Sequence, residues 1–260
     1  EQNDDWHGVW QTLVKQKTYA DVDQTLELFD EASLQYPAGE GFLYSSFDVN
    51  LASSVLQHAL QQPFLEALAK EVSEPLQLRS LQAASALFPA QVEFYQQKTD
   101  GRVKPHWAVD LSQKWAGGGL ASSSVDLATL GAAWLNPDFI PTAVQQQFWT
   151  VQLLKNGEKN EQNYGLGWRV SQRAYLYCDQ ANPLSREVRY MHHGGVSDGA
   201  QSWLVVYPDY QLVLAMNTNT VKEDYCDFAG QAAAIIKPFL RQLDASLFVP
   251  QNYRRAGQRQ

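Results

Sequence analysis

Two histidines followed by two glycines, in Met191-His192-His193-Gly194-Gly195, put acid–base side chains beside a backbone without Cβ atoms. An imidazole can donate, accept or carry charge near neutral pH. Glycine lets a ligand approach main-chain N–H groups closely. A glycine-rich bulge with incidental histidines explains these five residues equally well on their own. A second cluster, Tyr44-Ser45-Ser46, closes the stretch Pro37 to Ser46 just before a helical pattern. A tyrosine can act as a base only if cations or hydrogen bonds lower its phenol from ~10; as a bare tripeptide the stretch reads as capping and packing. Gly195-Val196-Ser197-Asp198-Gly199 matches the G-x-S-x-G nucleophile elbow. That elbow needs a helix after it and a histidine later in the chain. Here a strand pattern follows, and all five histidines (7, 58, 106, 192 and 193) precede Ser197, so the motif is read as a decoy. A metal site is not expected, because neighbouring strand residues point to opposite faces and neither HxH nor HExxH occurs. Gly117-Gly118-Gly119 lacks the Lys-Ser/Thr of a phosphate loop. No cofactor is implied.

The elements around these residues read as α+β. Val188 to Tyr190, Ser202 to Tyr207 and Gln211 to Met216 are strand-forming runs, the last two joined at Pro208-Asp209, so an antiparallel meander is expected from Tyr164 to Asn217. Helices are expected at Thr18–Phe29, with Tyr19, Val22, Leu26 and Phe29 on one stripe, and at Asp48–Leu60, capped by Asp48, with Val49, Val55, Leu56 and Leu60 on one face. Another starts at Pro63 and runs through Ala69. Ser123 to Asp126 forms a capping box before Leu127, Leu130 and Trp134. Asp224–Leu243 carries Phe228, Ala232, Ile235, Ile236 and Leu240 on one stripe. Residues 74–120 read as irregular and the tail after Pro250 as loose. This divides the chain into a mostly helical region (1–163), strands plus a final helix (164–245) and a tail (246–260).

Composition bounds the partners. With 45% apolar residues and eight tryptophans the chain can bury a large core. A net charge of −8, with no basic run longer than Arg254-Arg255, argues against nucleic acid and anionic membrane surfaces. No 18-residue apolar stretch occurs, so no membrane span is expected. Cys178 and Cys226 could form one disulfide or remain two unrelated thiols, and the compartment stays open. The first residues do not read as a signal peptide, and Glu1 suggests a processed or truncated start.

Three stretches taken in order, PAGEGFLYSS, KWAGGGLASSSVDLATLGAAWL and MHHGGVSDGAQSWLVVYPDYQLVLAMNTN, resemble the serine β-lactamase-related family. This is the class C β-lactamase, DD-peptidase and esterase group, and the likeness to its mitochondrial β-lactamase-like branch is particular. The resemblance runs from about residue 18 to about residue 240. It implies a β-lactamase/transpeptidase-like fold, an antiparallel sheet flanked by helices, incomplete at the N-terminus. In that family the serine of a Ser-x-x-Lys motif is acylated, and a tyrosine of Tyr-x-Asn shares proton transfer with the lysine. A Lys/His-x-Gly strand lines the opposite wall. The resemblance puts Tyr44 in the base role, Ser46 at the Asn position and His192 at the Lys/His position. His193 and Gly194 complete that motif along the substrate, as does Ser45, and the Gly195 N–H becomes an oxyanion donor. Alternation along a strand would then turn His192 to the cleft and His193 to the core or the other side. A cationic or hydrogen-bonding histidine would favour the Tyr44 phenolate.

Two departures stand out. Ser46 replaces the amide, which questions β-lactam turnover. No Ser-x-x-Lys occurs in the 260 residues; Thr12-Leu13-Val14-Lys15 comes nearest and is misplaced. The expectation is a serine hydrolase acting on an ester, amide or peptide, with its nucleophile upstream of this chain. One alternative is a non-catalytic β-lactamase-like binding module; another is an α/β-hydrolase using Ser197. An incomplete sheet would leave an open edge and exposed apolar surface, so self-association or a complementary N-terminal chain is a further expectation, with a small-molecule or peptide substrate. Export to the periplasm is the family's habit in bacteria.

Overall fold

A computed structural model gives the fold and describes residues 17–28, 33–84, 92–97, 101–106, 110–197 and 199–248. Phe29, Thr12 to Lys15, Asp198 and the tail after Pro250 lie outside the described residues. The chain forms two compact units, residues 1–126 with 197–199, and residues 127–196 with 200–260.

In the first unit α1 (Ser46–Leu60) is followed by α2 (Phe64–Leu68), a π-helical turn at Ala69–Ser73 and a last short turn, α3 (Glu74–Leu76). Two short antiparallel ladders pair β1 (Gln82–Ala83) with β4 (Leu120–Ala121) and β2 (Tyr95–Gln97) with β3 (Val103–Pro105). The short helix α4 (Trp115–Gly118) precedes β4. Two expectations change here. Thr18 onward is not an α-helix: a 3-10 helix spans Asp23–Leu28, entered where the Asp21 carboxylate accepts the Asp23 N–H at 2.8 Å. Thr25 is its buried residue, and Tyr19 and Val22, also buried, lie before it. The second change is α1 itself, which starts two residues early on a Ser45 cap and buries Asn50, Ser53 and Ser54 while Leu51, Val55, Leu56 and Leu60 face outward. Hydrogen bonds decide the face. Asn50 Nδ2 donates to the Gln113 carbonyl at 2.7 Å, and the Ser54 hydroxyl donates to Asp23 at 2.6 Å, so the polar side is satisfied inside.

The second unit is built on a four-stranded antiparallel sheet in the order β5 (Arg169–Arg173), β6 (Val188–Ser197), β7 (Ala200–Tyr207), β8 (Leu212–Thr218). One face packs against α7 (Tyr225–Leu243), which Asp224 caps by accepting the Cys226 N–H. Tyr190, Trp203, Val205 and Tyr207 meet Phe228, Ala232, Ile236 and Leu240 there. Burying each large apolar side chain is worth roughly 1.5–3 kcal/mol. Ile235, expected on that stripe, is 48% exposed. The other face carries Met191, Leu204 and Val206 against Trp149 and Trp168. Helix α5 (Ser124–Ala133) begins where Ser123 Oγ accepts the Asp126 N–H at 3.1 Å, half of the expected capping box. It lies close on the sheet through Gly131, where a Cβ would sit 2.6 Å from Val213. Helix α6 (Thr142–Phe148), entered at Pro141, has no counterpart in the sequence reading. Trp134 stacks near Phe148, Trp149 and Trp168 at 5.1–5.8 Å.

Cys178 and Cys226 are bonded, with Cα atoms 5.5 Å apart and a sequence separation of 48. The bond ties the β5–β6 connection to the first turn of α7. In the loop-entropy account a closure of that length contributes about 4 kcal/mol. Ala245–Phe248 forms a 3-10 turn with Leu247 in the core, so packing continues past residue 245. Among the described residues no helix is long and apolar enough to cross a membrane.

Candidate active site

In the first unit Tyr44 is half-buried and directly precedes the cap of α1. The Ser45 side chain accepts the Phe47 N–H at 3.1 Å, so its oxygen terminates the helix, and Asp48 falls in the first turn instead of capping it. Ser46 opens the helix, and its carbonyl faces Gly117, where a Cβ would lie 2.3 Å away. The Gly117 N–H donates to Asn50 Oδ1 at 3.1 Å. One buried amide therefore joins the Tyr44-Ser45-Ser46 turn to the Gln113–Gly117 turn. Asn50 was not singled out from the sequence; a lone Asn on a helix carries no signal until its distant partners are known.

In the second unit β6 carries His192 and His193 on opposite faces, as alternation requires, and His192 is the more deeply buried of the two. His192 is 3% exposed and packs among Tyr177, Tyr190 and Trp203, with ring centroids 4.8–5.5 Å away. Its Nε2 lies 3.1 Å from Ser171 Oγ, and its Nδ1 has no partner. Burial, with the charges of Arg169 and Arg173 and the neighbouring His193, holds it down to about 3. It is neutral at physiological pH, so the cationic form considered from sequence does not arise. His193 is half-buried. Its Nδ1–H donates to the Gly194 carbonyl at 2.8 Å, which leaves Nε2 to accept the Tyr164 hydroxyl, also at 2.8 Å. Burial pushes this ring below the usual histidine range too. Both nitrogens are engaged, and the ring braces the strand.

Gly194 and Gly195 differ. A Cβ on Gly194 would lie 2.2 Å from the Tyr225 hydroxyl, which donates to the Ser202 carbonyl at 2.6 Å. Gly195 is exposed, and a Cβ there would meet only Ser202 Cβ at 3.9 Å. Burial and the neighbouring Tyr177 push the Tyr225 phenol well up, against the smaller opposing effects of the Gly195 N–H and Arg169. Pairing with β5 ends at Arg169 opposite His192. Among the described residues, β6 beyond that point has no strand on its β5 side. Tyr164, Arg169 and Tyr225 thus surround the motif. The sequence holds Tyr164 and Arg169 in YGLGWRV, read there only as a strand signal. Ser197 ends β6, Gly199 turns at φ +73° and β7 follows at Ala200. This is strand–turn–strand, so the nucleophile-elbow alternative fails on geometry.

The Beta-lactamase family profile matches residues 4–235. The chain belongs to the beta-lactamase family. It is 26% identical over 211 residues to the mitochondrial serine beta-lactamase-like protein LACTB of Bos taurus, covering 75% of this chain and 37% of that protein. Among solved structures it is similar to a D-stereospecific amidohydrolase from Streptomyces (TM-score 0.65, 22% identity, 86% of this chain and 64% of that one). A penicillin-binding protein from Bacillus halodurans gives TM-score 0.63 at 18% identity, over 83% of this chain and 63% of that one. These likenesses place the chain in the β-lactamase/transpeptidase-like fold, α+β as its sequence implies. The chain spans little more than a third of the length of the curated relative.

Proposed function

We propose that this chain is part of a serine hydrolase of the β-lactamase/DD-peptidase type, acting on an ester, amide or peptide through an acyl-enzyme. The reading rests on family membership and on Gly195. Glycine there is required neither by packing nor by a positive φ, it is exposed, and its strand lacks a partner on the β5 side. An N–H at such a position is accessible to a developing oxyanion.

The roles are those that the family resemblance implies. A serine supplied from outside these 260 residues, together with the lysine of its Ser-x-x-Lys, attacks the carbonyl carbon; its proton passes to a Tyr44 phenolate that the lysine's charge favours, and the carbonyl electrons move onto an oxygen facing the Gly195 N–H. Collapse expels the leaving group, which takes that proton. Water then attacks the acyl ester, returning the serine and releasing the acid. Ser46 stands where the family has an amide. His192 and His193, both neutral, position β6 through Ser171 and Tyr164 and do not supply charge. Ser45 caps the helix.

In the full-length protein, Tyr44→Phe should lower kcat on an activated ester by about 10²–10⁴-fold, as loss of a general base does, while Ser197→Ala leaves it near normal. An unchanged kcat in Tyr44→Phe removes the assigned base. One observation favours a second reading, a non-catalytic relative: the Tyr225 hydroxyl is packed against Gly194, next to the Gly195 N–H. A full-length protein that neither turns over esters nor gains mass from a serine-directed fluorophosphonate decides for that reading.

A further inference from the structure

The Cys178–Cys226 bond joins two segments that press tyrosines onto β6 and β7. Tyr177, next to Cys178, packs on His192 and Trp203, with ring centroids 4.9 and 4.4 Å away. Tyr225, next to Cys226, lies 6.1 Å from the Trp203 ring, donates to the Ser202 carbonyl and sets its hydroxyl against Gly194. The bond also stands at a costly place in the backbone. Leu176 to Asp179 form a turn closed by the Asp179 N–H on the Leu176 carbonyl at 2.9 Å, and Cys178, its third residue, sits at φ +58°. Glycine or asparagine is the usual residue there. Among the described residues, the other non-glycine positions with positive φ are Gln61, Gln77 and Gln211, which end helical turns, and Asn163. The pair is within reach of a reductant, because Cys226 is exposed and both cysteines line a cavity of about 360 Å³. Nor is the bond the turn's only anchor: Lys237 on α7 pairs with Asp179, and Leu176 is fully buried. A reachable disulfide at a strained turn that other contacts keep docked suits a labile, regulatory bond better than a structural staple.

We propose that the Cys178–Cys226 disulfide is a redox switch for the His192–Gly195 stretch. Oxidised, it holds Tyr177 on His192 and Tyr225 on Gly194; reduced, it lets both rings move. The reductant is a dithiol. One of its thiolates attacks a cysteine sulfur, breaking the S–S bond and expelling the other cysteine as a thiolate. Its second thiol then displaces the first cysteine and closes the reductant's own disulfide. Two electrons pass to the protein, and the two protons the dithiol loses end on Cys178 and Cys226. At the candidate site the Tyr225 hydroxyl occupies space next to the Gly195 N–H, so the reduced protein is the form more open to a substrate oxygen. That consequence rests on the hydrolase reading, whereas the release of the two rings does not.

The test follows the ring signals of the 260-residue chain labelled with ¹³C-tyrosine, oxidised and after dithiothreitol. Tyr177 and Tyr225 are assigned by the signals lost in Tyr177→Phe and Tyr225→Phe. Alkylation with iodoacetamide counts the thiols by mass, two after reduction, since the chain holds no other cysteine. Reduction should shift the Tyr177 and Tyr225 signals and leave those of the core residues Tyr190 and Tyr207 in place. Cys178→Gly removes the bond and suits the turn, so it should give the same shifted Tyr225 signal with no reductant. In the full-length protein, kcat/KM on an activated ester should rise about fivefold on reduction, as a hydroxyl stops competing for the N–H. The proposal is overturned by a bond that dithiothreitol does not open in the folded protein. It is overturned equally by a reduced protein that unfolds, or by a Tyr225 signal that stays put on reduction or in Cys178→Gly. Freed rings with an unchanged kcat/KM would remove the switch from the active site, whereas freed rings in a full-length protein that hydrolyses nothing sink only the hydrolase reading.

Discussion

The two units each carry a glycine-rich stretch, and they use glycine for different reasons. At Gly117 the space is closed by main chain: a Cβ would fall 2.3 Å from the Ser46 carbonyl oxygen, and at Gly119 2.2 Å from that of Leu111. In β6 the obstruction at Gly194 is the end of one side chain, Tyr225, and at Gly195 there is none. A glycine demanded by packing tells how the chain folds. A glycine that packing does not demand, on an exposed stretch of strand paired on one side only among the described residues, is the one that points to a ligand.

The sharpest way to break this comparison is Gly117→Ala. Backbone oxygen cannot swing away as a side chain can, and moving Ser46 also strains the Asn50–Gly117 hydrogen bond. The expected loss is about 3 kcal/mol or more, read by urea unfolding. A loss below about 1 kcal/mol would mean that the turn relaxes freely. Gly194→Ala should cost less, about 2 kcal/mol, because the Tyr225 phenol can rotate at the cost of its bond to Ser202. Tyr225→Phe removes the oxygen nearest the new methyl, so the double variant should be more stable than the sum of the singles by at least ~0.5 kcal/mol. Simple additivity would show that Tyr225 is not what excludes a side chain from Gly194.

Periodicity made legible the elements whose buried face is apolar: α7, α5 with Ser123, and the hairpin of β7 and β8. It failed on α1, where the buried face is polar. Asn50 bonds partners 63 and 67 residues away, which no local pattern encodes. Alternation likewise sent His192 and His193 to opposite faces but could not say which face is packed. That depends on Tyr177 and Trp203, which tertiary structure brings to His192. Arg169 and Tyr225 were invisible for the same reason: the first meets the motif across a ladder, the second from the start of a helix. Family motifs located the Tyr44 and His192–Gly195 stretches, yet a motif names positions and not their surroundings. Burial and two arginines, not the motif, set the charge of His192.

Gly195→Ala is the smallest expected effect on stability and the most informative. Its methyl would find only Ser202 Cβ at ordinary contact distance, 3.9 Å, and alanine loses less chain entropy than glycine on folding. The unfolding free energy should therefore stay within about 0.5 kcal/mol of the wild type. If the Gly195 N–H serves an oxyanion, that methyl intrudes on the approach, and kcat/KM of the full-length protein should fall by about 10²-fold or more. A variant that is as stable and as active as the wild type would leave Gly195 with neither a packing nor a catalytic reason. A variant that is strongly destabilised would place it with Gly117 and Gly194, and the distinction between the two kinds of glycine would fail at the residue on which the functional reading depends.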